Sequence, residues 1–240
     1  MAEDQYIGDM FRQLLAGISR HIPSQCAVCH AWPTRAICES CVQRFGQPVH
    51  RCRTCALPLP DNLMQCGVCV TDPPPLDGAL AGVAYDFPWA GLVVQFKFQQ
   101  HTGWAPSFAA LLRSMPWVEP ALDAADWVLP MPLSPARLQQ RGFNQALVLA
   151  RALDSPKVRS DVLLRSKETP PQSALPRKER LSNVRGAYAL EPEYASAAKG
   201  KRIVLIDDVM TTGASLHAAA QVLRRAGAAH VTAIVLARAE

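Results

Sequence analysis

The chain has 240 residues, 49% of them apolar and 19% charged, with a formal net charge of +5. These proportions exclude a disordered or fibrous chain and suit one sizeable core with a smaller module beside it. No apolar run reaches the ~18 residues of a membrane-spanning helix, and the acidic start MAEDQ lacks the pattern of a secretory leader, so the expected location is the cytoplasm.

In chain order, the first expected element is an amphipathic helix within residues 1–22. Ile7, Met10, Phe11, Leu14, Leu15 and Ile18 recur at helical spacing, a stripe suited to docking on the protein's own body. All eight cysteines follow within residues 26–69 as four C-x-x-C pairs: CAVC, CESC, CRTC and CGVC. A reducing compartment disfavours a disulfide framework, and two such turns together offer the four sulfurs of a tetrahedral zinc site. The simplest pairing is sequential. One structural Zn²⁺ would then sit on Cys26, Cys29, Cys38 and Cys41, and a second on Cys52, Cys55, Cys66 and Cys69. A crossed pairing of the first pair with the third also satisfies the spacing. In either case metal replaces an apolar core over residues 23–72. Eight thiolates around two divalent ions carry a net −4, which brings the chain's +5 down to +1. The basic composition is therefore a poor argument for nucleic-acid binding by the whole chain.

Residues 70–78, VTDPPPLDG, read as a stiff linker and a domain boundary. Beyond it, residues 79–87 predict a strand, 88–99 a helix with Pro88 in its first turn, and 108–115 a second helix. Residues 126–134, DWVLPMPLS, predict a short apolar strand running into a proline-rich turn. Residues 141–153 predict a helix that buries Phe143, Ala146, Leu147, Ala150 and Leu153. The stretch 165–185 has little periodicity and carries six basic against two acidic residues. It is either a solvated surface loop or a basic flap over an anion. Residues 201–206, KRIVLI, predict a strand. Residues 214–227 predict a helix with Leu216, Ala220 and Leu223 inward and Gly227 just past its end, and 230–238 a final strand. Strand, turn, helix, strand is a βαβ unit, so residues 76–240 are expected to form an α/β domain on a parallel sheet.

The most informative stretch is 203–215, IVLIDDVMTTGAS. Two carboxylates stand at the expected end of a buried strand, where open α/β sheets bind ligands. The turn TTGAS offers backbone N–H groups at a helix start, a phosphate-binding arrangement. Thr211, Thr212 and Ser215 add hydroxyls, and Gly213 allows close approach. Phosphate and diol recognition side by side suggest a ribose 5-phosphate. The plainer alternative is an ordinary helix start with acids near its positive end.

Residues 203–215 also resemble the phosphoribosyl-pyrophosphate (PRPP) motif of type I phosphoribosyltransferases. The segments QFKF (95–98), VLPMPLSPARLQQRGFNQALVLAR (128–151), TPPQ (169–172) and ERLSNVRGAY (179–188), with the cysteine-rich front, resemble the ComF family of competence proteins, which includes GntX-like proteins. This resemblance implies a type I phosphoribosyltransferase-like sheet behind a zinc-ribbon module, a double zinc ribbon over residues 23–72. It implies that Asp207 and Asp208, followed by Val209, bind the ribose hydroxyls directly or through Mg²⁺ and stabilise a cationic sugar. Thr211, Thr212, Gly213, Ala214 and Ser215 would cradle the 5-phosphate. Met131, Pro132 and Leu133 would line a pyrophosphate pocket that Arg137 and Arg141 help neutralise, and residues 165–185 would close over it. Two functions stay open: a phosphoribosyltransferase releasing pyrophosphate to an unknown acceptor, or a non-catalytic PRPP-sensing or single-stranded-DNA-binding protein of DNA uptake, working with helicase-type competence proteins. Because adjacent carboxylates repel, either Asp→Asn change is expected to weaken PRPP binding while stability holds or rises.

Overall fold

The structure is a computed structural model that describes residues 24–153, 156–167, Val184 and 186–239. The helix expected within 1–22 and most of the basic stretch 165–185, with TPPQ, lie outside the described residues. Two compact units divide between Arg44 and Phe45.

In the smaller unit, Ser24 and Thr34 exchange two backbone hydrogen bonds of 2.8 Å and close a loop that carries Cys26 and Cys29. Cys38 and Cys41 stand at the start of α1 (Glu39–Phe45). Among the described residues of this unit, Ile37 is the one buried apolar side chain apart from three of the cysteines, so sulfur takes the place of a core.

The larger unit is built on four parallel strands in the order β1-β6-β5-β2. They are β1 (Gly78–Ala84), β2 (Trp127–Pro130), β5 (Arg202–Met210) and β6 (His230–Arg238). β5 and β6 are nearly continuous Val/Ile/Leu/Ala runs, buried along most of their length, as strands of a covered parallel sheet must be. α8 (Ala214–Arg225) joins them, and Asp207 is in register with Val235. A short antiparallel pair, β3 (Leu163–Arg165) and β4 (Tyr188–Leu190), lies apart from this sheet. The remaining helices are α2 (Gly67–Thr71), α3 (Trp89–Phe98), α4 (Ala105–Arg113), α5 (Val118–Ala124), α6 (Pro135–Arg141) and α7 (Gln145–Ala152).

Three local readings shift. The helix expected over 141–153 starts only at Gln145, and a separate helix precedes it over 135–141. Pro135 opens α6 from its first turn, and Gly142 stops it in the left-handed region at φ 77°. Asn144 then caps α7, accepting from the amides of Ala146 and Leu147 at 2.9 and 3.2 Å. Ala146, Ala150 and Leu153 are buried as expected and Leu149 joins them, whereas Phe143, which lies before the helix, and Leu147 are only half-buried. β1 ends at Ala84 and leaves Phe87 exposed. β5 does not stop before the aspartates but runs through them to Met210.

The second cysteine set belongs to the larger unit and to its core. Cys52, Cys55, Cys66 and Cys69 pack in one cluster with Leu76, Ala79, Met210, Ala214 and Val235. The Ala79 amide donates to the Arg53 carbonyl at 2.8 Å. The prolines at 73–75 thus connect two parts of one compact unit.

Candidate functional site

A cleft of about 700 Å³ opens at the carboxyl ends of β2 and β5. Crossing the sheet at this end, the turn after β2 and the start of α8 face one another across β5. Met131, Pro132 and Leu133 contribute one wall, and Thr211, Gly213, Ala214 and Ser215 another. Asp207, Asp208 and Val209 form the floor, and Arg137 and Arg141 of α6 line the cleft with them. Thr212 does not line it; its hydroxyl oxygen accepts from the Ala214 amide at 3.3 Å. Four basic side chains, Lys97, Arg137, Arg141 and Arg165, face two acidic ones, which favours an anionic ligand.

The turn is shaped by Gly213, at φ 79°. A Cβ there would lie 2.6 Å from the Met210 methyl and 2.7 Å from His217 Nε2, so no other residue fits without displacing both. Gly213 at the N-cap has no side chain, the Thr212 hydroxyl takes the Ala214 amide, and the positive end of the 12-residue helix opens on the cleft. On the facing wall, Asn144 donates to the Met131 carbonyl at 3.1 Å and ties the turn after β2 to α7.

The two aspartates are not equivalent. Successive strand side chains leave on opposite faces. Asp208 is 1% exposed, with Lys97 Nζ 2.9 Å from both of its carboxylate oxygens. It also accepts from the Val209 amide at 2.8 Å. Asp207 is half-buried on the cleft floor and accepts from the Asp208 amide at 2.9 Å. Burial, and then the neighbouring Asp208 carboxylate, pushes the Asp207 carboxyl up to about 7. The shared expectation for both Asp→Asn changes therefore divides: Asp207 carries the electrostatic cost, while Asp208 has its counter-ion. Burial lowers the Arg141 guanidinium from its ordinary value, and the two carboxylates oppose that. Arg141 lies 5.0 Å from the centre of the Phe98 ring and donates to Gln145 at 2.9 Å.

Lys97 and Tyr188 also line the cleft with no role read for them in the sequence, and Arg165, first residue of the expected basic flap, lines it from the end of β3. Arg165 donates to the Tyr188 hydroxyl at 3.2 Å, and burial raises that phenol. Lys97 lies within QFKF and Tyr188 ends ERLSNVRGAY, so the signal available was resemblance and not a local chemical pattern.

The cysteines converge as two sequential sets, each with its sulfurs within 4.8 Å of one another. Three sulfur pairs, Cys26–Cys41, Cys29–Cys38 and Cys55–Cys66, are 3.8, 3.6 and 3.7 Å apart. A tetrahedron with the ~2.3 Å bonds of a zinc thiolate has edges of about 3.8 Å, whereas a disulfide needs about 2 Å. Burial opposes ionisation of Cys26 and Cys52, yet backbone amides aimed at their sulfurs outweigh it and bring both thiols down to about 6. Burial and neighbouring sulfurs push Cys41 and Cys69 well above the ordinary thiol range. Four crowded thiols in this state suit a divalent cation, which removes the mutual repulsion of thiolates.

The phosphoribosyl transferase domain family matches residues 138–240. The DNA utilization protein YhgH of Salmonella typhimurium is 31% identical over 226 residues, covering 90% of this chain and 98% of the relative. Competence protein F of Haemophilus influenzae is 30% identical over 212 residues, covering 85% and 90%. Competence protein ComFC of Bacillus subtilis is 39% identical over 112 residues, covering 46% and 44%.

Proposed function

This chain belongs to the ComF family of competence proteins, and from that premise we propose that its cleft binds PRPP and that Zn²⁺ fills the two four-cysteine centres. The observation that carries the reading is the meeting, in one cleft, of Asp207 with the glycine turn that starts α8 and four basic side chains.

The amides of the first turn of α8, with the Thr211 and Ser215 hydroxyls, hold the 5-phosphate. Asp207 accepts hydrogen bonds from the ribose hydroxyls. Arg137, Arg141 and Arg165 bind the pyrophosphate and stabilise the charge it gains on leaving. Asp207, as the carboxylate open to the cleft, is the group suited to hold Mg²⁺ carried with the ligand, and that ion adds charge neutralisation when bound. As positive charge develops on the sugar, Asp207 stabilises it. Lys97 neutralises Asp208 and keeps the floor of the cleft from repelling an anion.

The relatives' names, competence protein F and DNA utilization protein, support a role in DNA uptake or use. Single-stranded DNA and helicase-type proteins are the partners that role calls for, in the cytoplasm. Among the described residues no helix is long and apolar enough to cross a membrane. Calorimetric titration with PRPP and Mg²⁺ tests the reading. Binding that weakens in Asp207→Asn supports it, and no binding of PRPP at millimolar concentration overturns it. Pyrophosphate release on adding candidate acceptors then separates an enzyme from a sensor.

A further inference from the structure

We infer that Arg238 is a positioning residue that couples the second four-cysteine centre to the phosphate-binding turn, so that filling either site strengthens the other. The inference rests on the reading of the cleft as a PRPP site.

Arg238 ends β6 and is 4% exposed, a buried cation at the carboxyl end of a parallel strand. Besides the carbonyl of its neighbour Ala239, its guanidinium reaches two distant places at once. Nε donates to the carbonyl of Cys55 at 2.8 Å. Nη1 donates to the carbonyl of Thr211 at 2.6 Å and to that of Met210 at 3.2 Å. Cys55 is a sulfur donor of the second centre, and Met210 and Thr211 begin the turn that leads to Gly213. One rigid, planar fork therefore holds the metal knuckle and the phosphate turn at a fixed separation. Sequence distance hides this: Arg238 is 183 residues from Cys55.

The surroundings give the turn little freedom to move independently of the centre. Met210 and Ala214 pack in the same apolar cluster as the four cysteines. The Met210 methyl and the His217 ring close the space behind Gly213. Within the centre, the Cys66 amide points at Cys52 Sγ, 3.4 Å away. Losing the metal would leave crowded thiols free to separate, and the Cys52–Cys55 loop would carry the Cys55 carbonyl with them. Arg238 would then follow one anchor or the other. By linkage, a ligand that orders the turn must favour the metal-bound knuckle by the same factor.

The first centre lies in the other compact unit and serves as an internal reference. The test uses the full-length, zinc-loaded protein. Zinc loss to a zinc-selective chelator is followed with and without PRPP and Mg²⁺, and the two phases are assigned with Cys66→Ser. PRPP binding is measured separately by calorimetry. The expected result is about tenfold slower loss from the second centre with PRPP, within the usual range of coupling between sites, and no change at the first. In Arg238→Met, PRPP should bind about tenfold more weakly and protect neither centre; Arg238→Lys, which keeps charge without the fork, should stay uncoupled. The wild-type comparison needs no Arg238 variant to fold. PRPP that binds without slowing zinc loss, or that protects both centres equally, overturns the coupling alone. Protection that persists in a folded Arg238→Met assigns the coupling elsewhere and overturns the role of Arg238. No PRPP binding to the metal-loaded wild type overturns the cleft reading and this inference with it.

Discussion

Replacing Asp207 with asparagine should stabilise the ligand-free protein, whereas Asp208→Asn should destabilise it. The Asp207 carboxyl rises from 3.8 to about 7 on folding. An acid whose folded value is raised contributes most to stability below pH 3.8. That contribution falls as pH rises towards 7 and is gone above it. At pH 8 the shift sets an upper limit of about 4 kcal/mol on the cost of holding Asp207 ionised. Water reaches a half-buried side chain in the cleft, so the gain on removing the charge should be about 1–3 kcal/mol. Asp208 is the opposite case. It is 1% exposed and paired with Lys97, whose side chain is 22% exposed. Removing one partner of a buried pair costs about 3–5 kcal/mol, and the partial exposure of Lys97 brings this to about 2–4 kcal/mol. Adding Lys97→Met to Asp208→Asn should recover part of the loss, the signature of a coupled pair. Urea and thermal melts at pH 8 without ligand give the signs, and PRPP titration gives the second axis. There Asp207→Asn should cost about tenfold to a hundredfold in affinity, from lost charge-assisted hydrogen bonds worth about 1.5–3 kcal/mol. If both variants move stability in the same direction, or Asp207→Asn binds PRPP as the wild type does, this account of the carboxylate pair is wrong.

Further outcomes follow from the same geometry. Because Asp207 accepts charge-assisted hydrogen bonds and faces a cation only when ionised, PRPP affinity should rise between pH 6 and pH 8, and Asp207→Asn should flatten that rise in calorimetric titrations. Gly213→Ala should cost about 1–3 kcal/mol in thermal melts, since φ is 79° and its Cβ would sit 2.6 Å from the Met210 methyl; it should also weaken phosphate binding. Metal analysis of freshly purified, reduced protein should find about two zinc ions per chain. Because the second centre is part of the larger unit's core, Cys66→Ser should lower the melting temperature of that unit by about 10 °C. A melt unchanged by Cys66→Ser would make the centre an appendage.

What was legible in the sequence is what local spacing encodes. Four C-x-x-C pairs announce two four-cysteine clusters because each pair is a single turn. The apolar runs before Asp207 and after His230 announce buried parallel strands for the same reason. Interactions that bridge long stretches of chain are invisible in this way: Lys97 meets Asp208 across 111 residues, and nothing around QFKF says that its lysine ends on a carboxylate. The split between α6 and α7 was hidden by short range of another kind. A seven-residue, largely polar helix has too little periodicity to separate from a proline-rich turn. The end of β5 is the instructive case. Aspartates are poor strand residues, so the strand was expected to stop before them, and both acids were then read as one pair facing one ligand. Once β5 continues to Met210, alternation sends Asp207 and Asp208 to opposite faces. Both line the cleft, but Asp208 is buried against Lys97 whereas Asp207 is half-buried and open, which gives them different work. Local propensity fails at the one position where two acids are held in a buried strand at electrostatic cost, and such a conflict is expected where function, not folding, sets the residue.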